Sequence, residues 1–355
     1  MTNKELRDRD SIVTSEGIIF RVYGYTHPPE GYICDVEYAS SSIYRSKLPR
    51  AERRRMDGSL YYKFYADEGL RFVRENFPHH LLNYKPLGCT IVGVKRDNIY
   101  QMLKPEVKFR EIIQSEAPDQ LISSLKKIFY VLSSRSSLKI DDFGVFGSIL
   151  HSFYHPDLSD IDLIIYGAKK LDQLKEVLND LYGEGNFLLN EFDDFESIKG
   201  KKWRFINYTP KEYLMHQKRK LIYAVLKSSY ASRKVKVEFE PVKDWSEIIN
   251  DYDPRVKIKK KGWIKAIARI MDDREAPFMP SIYDVEIIDF LEGEAENITR
   301  IVSYVEEFRM QAFTDEVVYV EGNLEEVIAP NGTLHQITLS YGPRYYEQVL
   351  KLLNS

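Results

Sequence analysis

The chain has 355 residues, of which 43% are apolar and 30% charged, and its formal net charge is −3. This length favours two or three domains, and the apolar share suffices for more than one packed core. The composition excludes a disordered polar chain and a collagen-like chain, and no run of about 18 apolar residues predicts a membrane-spanning helix. Because the first ten residues alternate in charge and lack the apolar core of a signal peptide, we expect a cytoplasmic protein.

The sequence offers no metal site built on cysteine or histidine spacing. Cys34 and Cys89 lie far apart and form no CxxC pair, which argues against a thiolate zinc site and against a disulfide scaffold. His27, His79 and His80 have no metal-ligand spacing to nearby cysteines or acids. We therefore interpret these histidines as loop residues.

Residues 1–113 are predicted to form a β-rich N-terminal domain. A short helix is expected over 67–77, because its apolar residues recur at helical spacing and Pro78 stops it. Strand patterns bounded by turn residues cover 17–23, 32–38, 60–65 and 90–94.

Residues 114–244 alternate helix and strand and are predicted to form a second domain. Strands are expected over 143–146, 160–166, 203–208 and 233–242. Four helices are expected. One starts near Pro118, one covers 149–154, one ends at Gly183 and one covers 210–229.

Residues 245–355 return to a β pattern and are predicted to form a β-barrel-like C-terminal domain with a closing helix over 343–353. Several short strands with turns between them are typical of a small barrel or sandwich. The predicted strands cover 264–270, 283–288, 298–305, 317–321 and 334–341.

The most informative segment of the sequence combines a Gly-Ser turn with a pair of acids. Gly147 and Ser148 follow a short apolar strand, and eleven residues precede Asp160-Ile161-Asp162-Leu163. The strand period of two puts Asp160 and Asp162 on one face. Two such carboxylates repel each other unless a cation binds between them, and their oxygens suit Mg²⁺. The glycine lets the backbone pass close to a ligand, and free N–H groups at a helix start favour an anion. This combination suits phosphoryl or nucleotidyl transfer.

These residues resemble the signature of the DNA polymerase β-type nucleotidyltransferase superfamily, in which Gly-Ser precedes an Asp-x-Asp pair by about ten residues. Ser159 belongs to the same signature, and the resemblance gives Gly147, Ser148 and Ser159 a nucleotide-binding role. It implies an α+β architecture with a central mixed sheet and packed helices, and Mg²⁺ or Mn²⁺ bound by the catalytic acids. The implied reaction is two-metal transfer of a nucleoside monophosphate from a nucleoside triphosphate to a hydroxyl. The whole chain, with its Arg9-Asp10-x-Ile12 start, resembles archaeal predicted nucleotidyltransferases of uncharacterised activity.

The superfamily uses a third carboxylate on a neighbouring strand, and two residues of the strand over 233–242 are candidates. Glu238 lies between apolar residues and is preferred, while Glu240 points to the same face two residues later and stays the alternative. The predicted catalytic and metal-binding set is therefore Asp160, Asp162 and Glu238. The chain departs from many members after Ser148, where Ile149-Leu150-His151 replaces a small residue, arginine and glycine.

Two basic stretches could contact RNA or DNA. They cover 45–55 and 255–261 and lie in the two flanking domains. The preferred function is nucleotidyl transfer to a hydroxyl acceptor with release of pyrophosphate. Two alternatives stay open: a catalytically inactive nucleic-acid-binding protein that keeps the fold, and a nucleotidyltransferase that modifies a protein.

Overall fold

The computed structural model describes residues 5–55, 57–201 and 204–353. These residues form two compact units. The first holds the described residues up to Tyr84 together with Thr90–Leu189 and Ala224–Tyr252, and the second holds Lys85–Cys89, Asn190–Tyr223 and the described residues from Asp253 onward. The chain therefore passes between the units several times. The division into three consecutive domains stays a prediction.

The first unit contains an eight-stranded sheet, in line with the β-rich pattern of the N-terminal sequence. Its strands are β1 (Ser11–Val13), β2 (Ile18–Val22), β3 (Gly31–Ser40), β4 (Glu52–Arg54), β5 (Leu60–Lys63), β6 (Leu81–Tyr84), β7 (Cys89–Lys95) and β8 (Gln101–Leu103). Their order is β4-β5-β3-β2-β1-β8, and β7 pairs with both β3 and β6. Helix α1 (Glu68–Asn76) packs against β3 and ends before Pro78, as predicted.

A five-stranded mixed sheet carries the Asp-x-Asp segment. Its strands are β9 (Phe143–Val145), β10 (Ile161–Tyr166), β11 (Leu188–Asn190), β12 (Tyr223–Leu226) and β13 (Val235–Val242). They follow the order β11-β12-β13-β10-β9, in which β10 runs parallel to β13 and antiparallel to β9. The mixed α/β character predicted for this region is confirmed.

Helices precede the strands of this sheet or connect them in the sequence. They are α2 (Pro105–Gln114), α3 (Gln120–Ser134), α4 (Gly147–Leu150), α5 (Ala168–Glu184), α6 (Phe195–Ile198) and α7 (Pro210–Arg219). The carboxylate of Asp119 caps α3 by accepting a hydrogen bond from the Ile122 N–H at 3.0 Å. Helix α5 ends at Glu184 and is capped by Gly185, which has a φ of 60°, whereas Gly183 was predicted to end it. Helix α2 was not predicted, although Pro105 starts it and Phe109 and Ile112 bury one face.

Two helix predictions around the central sheet were wrong. The helix expected over 149–154 is the four-residue α4, which is followed by Ser152 at a φ of 58°. The helix expected over 210–229 ends at Arg219, because Leu221 adopts a left-handed φ of 63° and the chain then enters β12. In the second place, sheet packing of the buried residues Ala224, Val225 and Leu226 overrides a local helical pattern. The strand expected over 203–208 is also wrong for residues 204–208, which form no strand, and Trp203 lies outside the described residues.

The second unit is built on a six-stranded sheet. Its strands are β14 (Lys257–Asp272), β15 (Ser281–Glu292), β16 (Ile298–Ser303), β17 (Val317–Ala329), β18 (Gly332–Leu339) and β19 (Val349–Leu352). They follow the order β14-β15-β16-β18-β17-β19, and β14 also pairs with β17. Only β16 and β18 pair in parallel among the pairings described here. Aromatic side chains of the segment before and within α7, Phe205, Tyr208 and Tyr213, join the apolar core of this sheet.

The predicted closing helix over 343–353 was wrong. The structure has a short 3-10 turn at Tyr345–Glu347, followed by β19. Strand β19 pairs with Val318–Glu321 of β17, so main-chain hydrogen bonds to that strand outweigh the helical spacing of the leucines. None of the described helices is long and apolar enough to cross a membrane.

Candidate active site

The acids of the predicted site lie on two neighbouring parallel strands. Asp162 of β10 is the register partner of Glu238 of β13, so their side chains share one face of the sheet. Asp160 directly precedes β10 and is exposed, while Asp162 and Glu238 are partly buried. The three carboxylates therefore stand along one face that water can reach.

Gly147 lies directly against one of these acids. Its φ is 60°, and a Cβ atom added to it would come within 2.2 Å of the Oδ2 atom of Asp162. Both the left-handed conformation and this close approach require glycine. The preceding residue holds the Gly147 backbone close to Asp162, because the Phe146 N–H donates a hydrogen bond of 2.9 Å to the Asp162 carbonyl. Ser148 follows in α4, so the Gly-Ser turn and the acid pair meet as the sequence predicts.

The environment of Asp162 disfavours its ionised form. Burial, together with the neighbouring charges of Asp160 and Glu240, raises its pKa to about 7. The ammonium of Lys63 acts in the opposite direction. Repelling carboxylates of this kind are relieved when a cation binds between them.

The two candidates for the third carboxylate differ in their surroundings. Glu240 is buried, and its Oε2 accepts hydrogen bonds from Arg9 Nη2 at 2.8 Å and from Arg9 Nε at 3.3 Å. Arg9 itself is fully buried. Glu240 is thus committed to an internal ion pair, whereas Glu238 is partly exposed beside Asp162. This difference favours Glu238 as the third acid.

The N-terminal sheet borders the site through Glu37 of β3 and Lys63 of β5. Glu37 raises the pKa of Asp162, and Lys63 lowers it. Although burial alone would raise the pKa of Glu37, the imidazole of His151 and the guanidinium of Arg21 lower it to about 2. His151 Nε2 lies 3.6 Å from Glu37 Oε2, and Arg21 Nε lies 3.9 Å from Glu37 Oε1. Sequence reasoning missed Glu37 and Lys63, because no local motif marks them and only the fold brings them here.

Ser159 has a local role. Its Oγ accepts a hydrogen bond of 2.9 Å from the His155 N–H, and its carbonyl accepts one from the Arg233 side chain. These bonds hold the loop that leads into Asp160. His151 is buried against the ring of Tyr38, at 5.3 Å between centroids.

The site residues fit a divalent cation that prefers oxygen. All three predicted ligands are carboxylates, and hard cations such as Mg²⁺ take carboxylate oxygen and keep part of their hydration shell. Because Gly147 has no side chain, only its backbone lies against the Asp162 carboxylate.

Comparisons with known proteins concern the same part of the chain. A family model described as a nucleotidyltransferase domain matches residues 125–227. Residues 125–227 are therefore similar to known nucleotidyltransferase domains. An uncharacterized protein of Methanocaldococcus jannaschii is similar to the chain, with 26% identity over 330 residues that cover 92% of this chain and 93% of that protein. No solved structure matches the chain.

The match to the nucleotidyltransferase domain covers only part of the site. It includes the Gly-Ser turn and the acids of β10 but ends before β13. The assignment of Glu238 therefore depends on the register of β13 with β10. Glu37 and Lys63 also lie outside the matched residues.

Proposed function

We propose that this protein is a metal-dependent nucleotidyltransferase that moves a nucleoside monophosphate from a nucleoside triphosphate to a hydroxyl acceptor. The acceptor oxygen forms a bond to the α-phosphorus, the bond from that phosphorus to the departing phosphate oxygen breaks, and pyrophosphate leaves. The observation that carries the proposal is the contact of Gly147 with Asp162, with Glu238 in register beside it.

Each residue of the site has a role in this proposal. Asp160, Asp162 and Glu238 hold Mg²⁺ or Mn²⁺, and two such ions, when bound, neutralise the phosphate charge at the attacking and leaving oxygens. Gly147 and Ser148 bind the triphosphate through the turn that they form. Glu238, partly exposed on the same face as Asp162, takes the proton of the acceptor hydroxyl.

Ser159 and Lys63 support these roles. Ser159 contributes to nucleotide binding by holding the loop before Asp160 through its bond to the His155 N–H. Lys63 adds a positive charge near Asp162 that favours a bound phosphate.

A nucleic acid is the acceptor that the surface charges favour. Exposed basic side chains occur in both units, and phosphate backbones bind to such groups. In the first unit these residues are Arg45, Lys47, Arg50 and Arg54, and on β14 they are Lys257, Lys259, Lys260 and Lys261. The pairing of β14 with both β15 and β17 supports a barrel-like second unit, an architecture that includes oligonucleotide-binding folds.

The test is a transfer assay with α-labelled ATP, CTP, GTP and UTP in the presence of Mg²⁺ or Mn²⁺. Each nucleotide is offered with RNA, DNA or protein extract to the wild type and to the double variant Asp160→Asn/Asp162→Asn. The matched control is Asp157→Asn, which removes an exposed acid from the same loop. We expect label on a nucleic acid with the wild type and the control, and none with the double variant.

Other outcomes point to the alternatives. Label found only on protein would mean that the acceptor is a polypeptide and not a nucleic acid. Absence of label together with absence of metal-dependent nucleotide binding would contradict the enzyme and favour a binding protein that retains the fold. Equal transfer by the wild type and the double variant would contradict the assignment of the acids.

A further inference from the structure

We propose that Glu16, His79 and His80 form a zinc site in the N-terminal sheet, separate from the catalytic carboxylates. One donor atom from each of these three residues can be chosen so that all lie within 4.8 Å of one another. The set of two imidazoles and one carboxylate is typical of Zn²⁺ with three protein ligands and an open fourth position.

The Glu16 carboxylate faces both imidazoles. Its Oε1 lies 2.8 Å from His79 Nε2, and its Oε2 lies 3.6 Å from His80 Nε2. Ligand atoms bonded to one zinc ion at about 2.0–2.2 Å stand roughly 3.3 Å apart in a tetrahedron. Small side-chain rotations therefore suffice to bring the three donors around one ion.

His80 is the observation that points to a ligand. Its side chain is fully buried, yet neither ring nitrogen has a hydrogen-bond partner in the described part of the chain. Buried polar groups of this kind are costly unless something binds them.

The backbone holds the donors in place before any metal binds. Glu16 lies in the turn between β1 and β2, where the Gly17 N–H donates to the Thr14 carbonyl at 3.0 Å and the Ser40 N–H donates to the Gly17 carbonyl at 2.9 Å. His79 and His80 lie in the 3-10 turn Pro78–His80 directly after α1. A zinc ion would thus join the first hairpin of the sheet to the end of α1. His79 is half exposed, which gives the ion a path from solvent.

The experiment measures zinc binding by the full-length chain without an affinity tag. Purified protein is stripped of metal and titrated with Zn²⁺ against a chromophoric chelator, and the thermal midpoint is measured with and without Zn²⁺. The variants are Glu16→Gln and His79→Ala, which alter the two ligands that solvent can reach and spare the buried His80. The controls are His155→Ala, which removes an exposed histidine elsewhere, and Asp160→Asn/Asp162→Asn, which removes the catalytic acids.

We expect one equivalent of Zn²⁺ to bind the wild type and to raise its thermal midpoint. Each ligand variant should weaken binding at least about tenfold and lose the zinc-dependent shift, while both controls keep wild-type affinity. Two results would overturn the site: no stoichiometric binding by the wild type, or unchanged affinity in both ligand variants. Loss of binding in the Asp160→Asn/Asp162→Asn control would assign the zinc to the catalytic acids instead.

Discussion

At the scale of single residues, Gly147 sets how closely the backbone approaches the acids. Substitution by alanine would put a methyl group 2.2 Å from Asp162 Oδ2 and force a left-handed conformation on a residue with a Cβ. The carboxylate must therefore move. Misplacement of a reacting group by about 1 Å can cost roughly a hundredfold in rate, so we expect Gly147→Ala to lower nucleotidyl transfer by about that factor.

The control for this substitution lies in α5. Gly183 has open space where a Cβ would stand, so Gly183→Ala should leave transfer unchanged. Initial rates of both variants, with far-UV circular dichroism to verify folding, make the comparison. Equal rates for Gly147→Ala and wild type would show that the contact with Asp162 is not needed.

His216 gives a prediction on pH. Burial lowers its pKa to about 4, and its two nitrogens meet the Gln311 carbonyl at 3.1 Å and the Leu352 N–H at 3.3 Å. The unfolded chain takes up a proton near pH 6.5, whereas the folded chain resists it until about pH 4. The free energy of unfolding should therefore fall as the pH drops from 6.5 to 4, by at most about 3 kcal/mol from this residue.

The measurement is chemical denaturation at several pH values between 4 and 7. His216→Gln should show a smaller loss of stability across this range than the wild type. The exposed His155→Gln is expected to keep the wild-type slope. A wild-type slope in His216→Gln would mean that the charge on this imidazole does not control acid stability.

At the scale of elements, two acids of β13 that lie two residues apart in the sequence have different surroundings. Glu238 beside Asp162 belongs to the proposed chemistry, and Glu240 belongs to the buried pair with Arg9. We expect Glu238→Gln to abolish transfer with little change in stability. Glu240→Gln should lower the free energy of unfolding by about 3–5 kcal/mol, because it removes the charged acceptor of two hydrogen bonds from the buried Arg9 guanidinium. Transfer assays and urea denaturation of both variants test this division, and a reversed pattern would make Glu240 the third acid.

The strands and helices near the motif could be predicted because their signals are local. Strand β10 and helix α5 show clear apolar periodicity, and their predicted positions differ from the structure by a few residues at most. Strands β12 and β19 were predicted as helix, since the neighbouring strands that decide their conformation lie elsewhere in the sequence. The effect of Glu37 and Lys63 on Asp162 could not be predicted either, because both residues lie far from the motif in the sequence.

At the scale of the whole molecule, the residues that match the nucleotidyltransferase family model are divided between the two units. Phe205, Tyr208 and Tyr213 lie inside the matched residues but belong to the apolar core built on β14–β19. A chain that ends at Tyr252 would leave these aromatic side chains without their core. We expect this truncated protein to bind the dye ANS strongly and to lose cooperative unfolding. A soluble truncated protein with a single sharp thermal transition and no dye binding would contradict this expectation.

The ion pair between Arg9 and Glu240 also affects the order of events during synthesis. The two residues are 231 positions apart, and both side chains are buried in the finished fold. At translation rates of about 5–20 residues per second, Arg9 leaves the ribosome roughly 10–50 s before its partner. During that interval Arg9 cannot form its ion pair with Glu240, so the N-terminal segment lacks one of its buried contacts. The first residues made therefore complete their buried contacts only after β13, close to the last residues of the first unit, has been made.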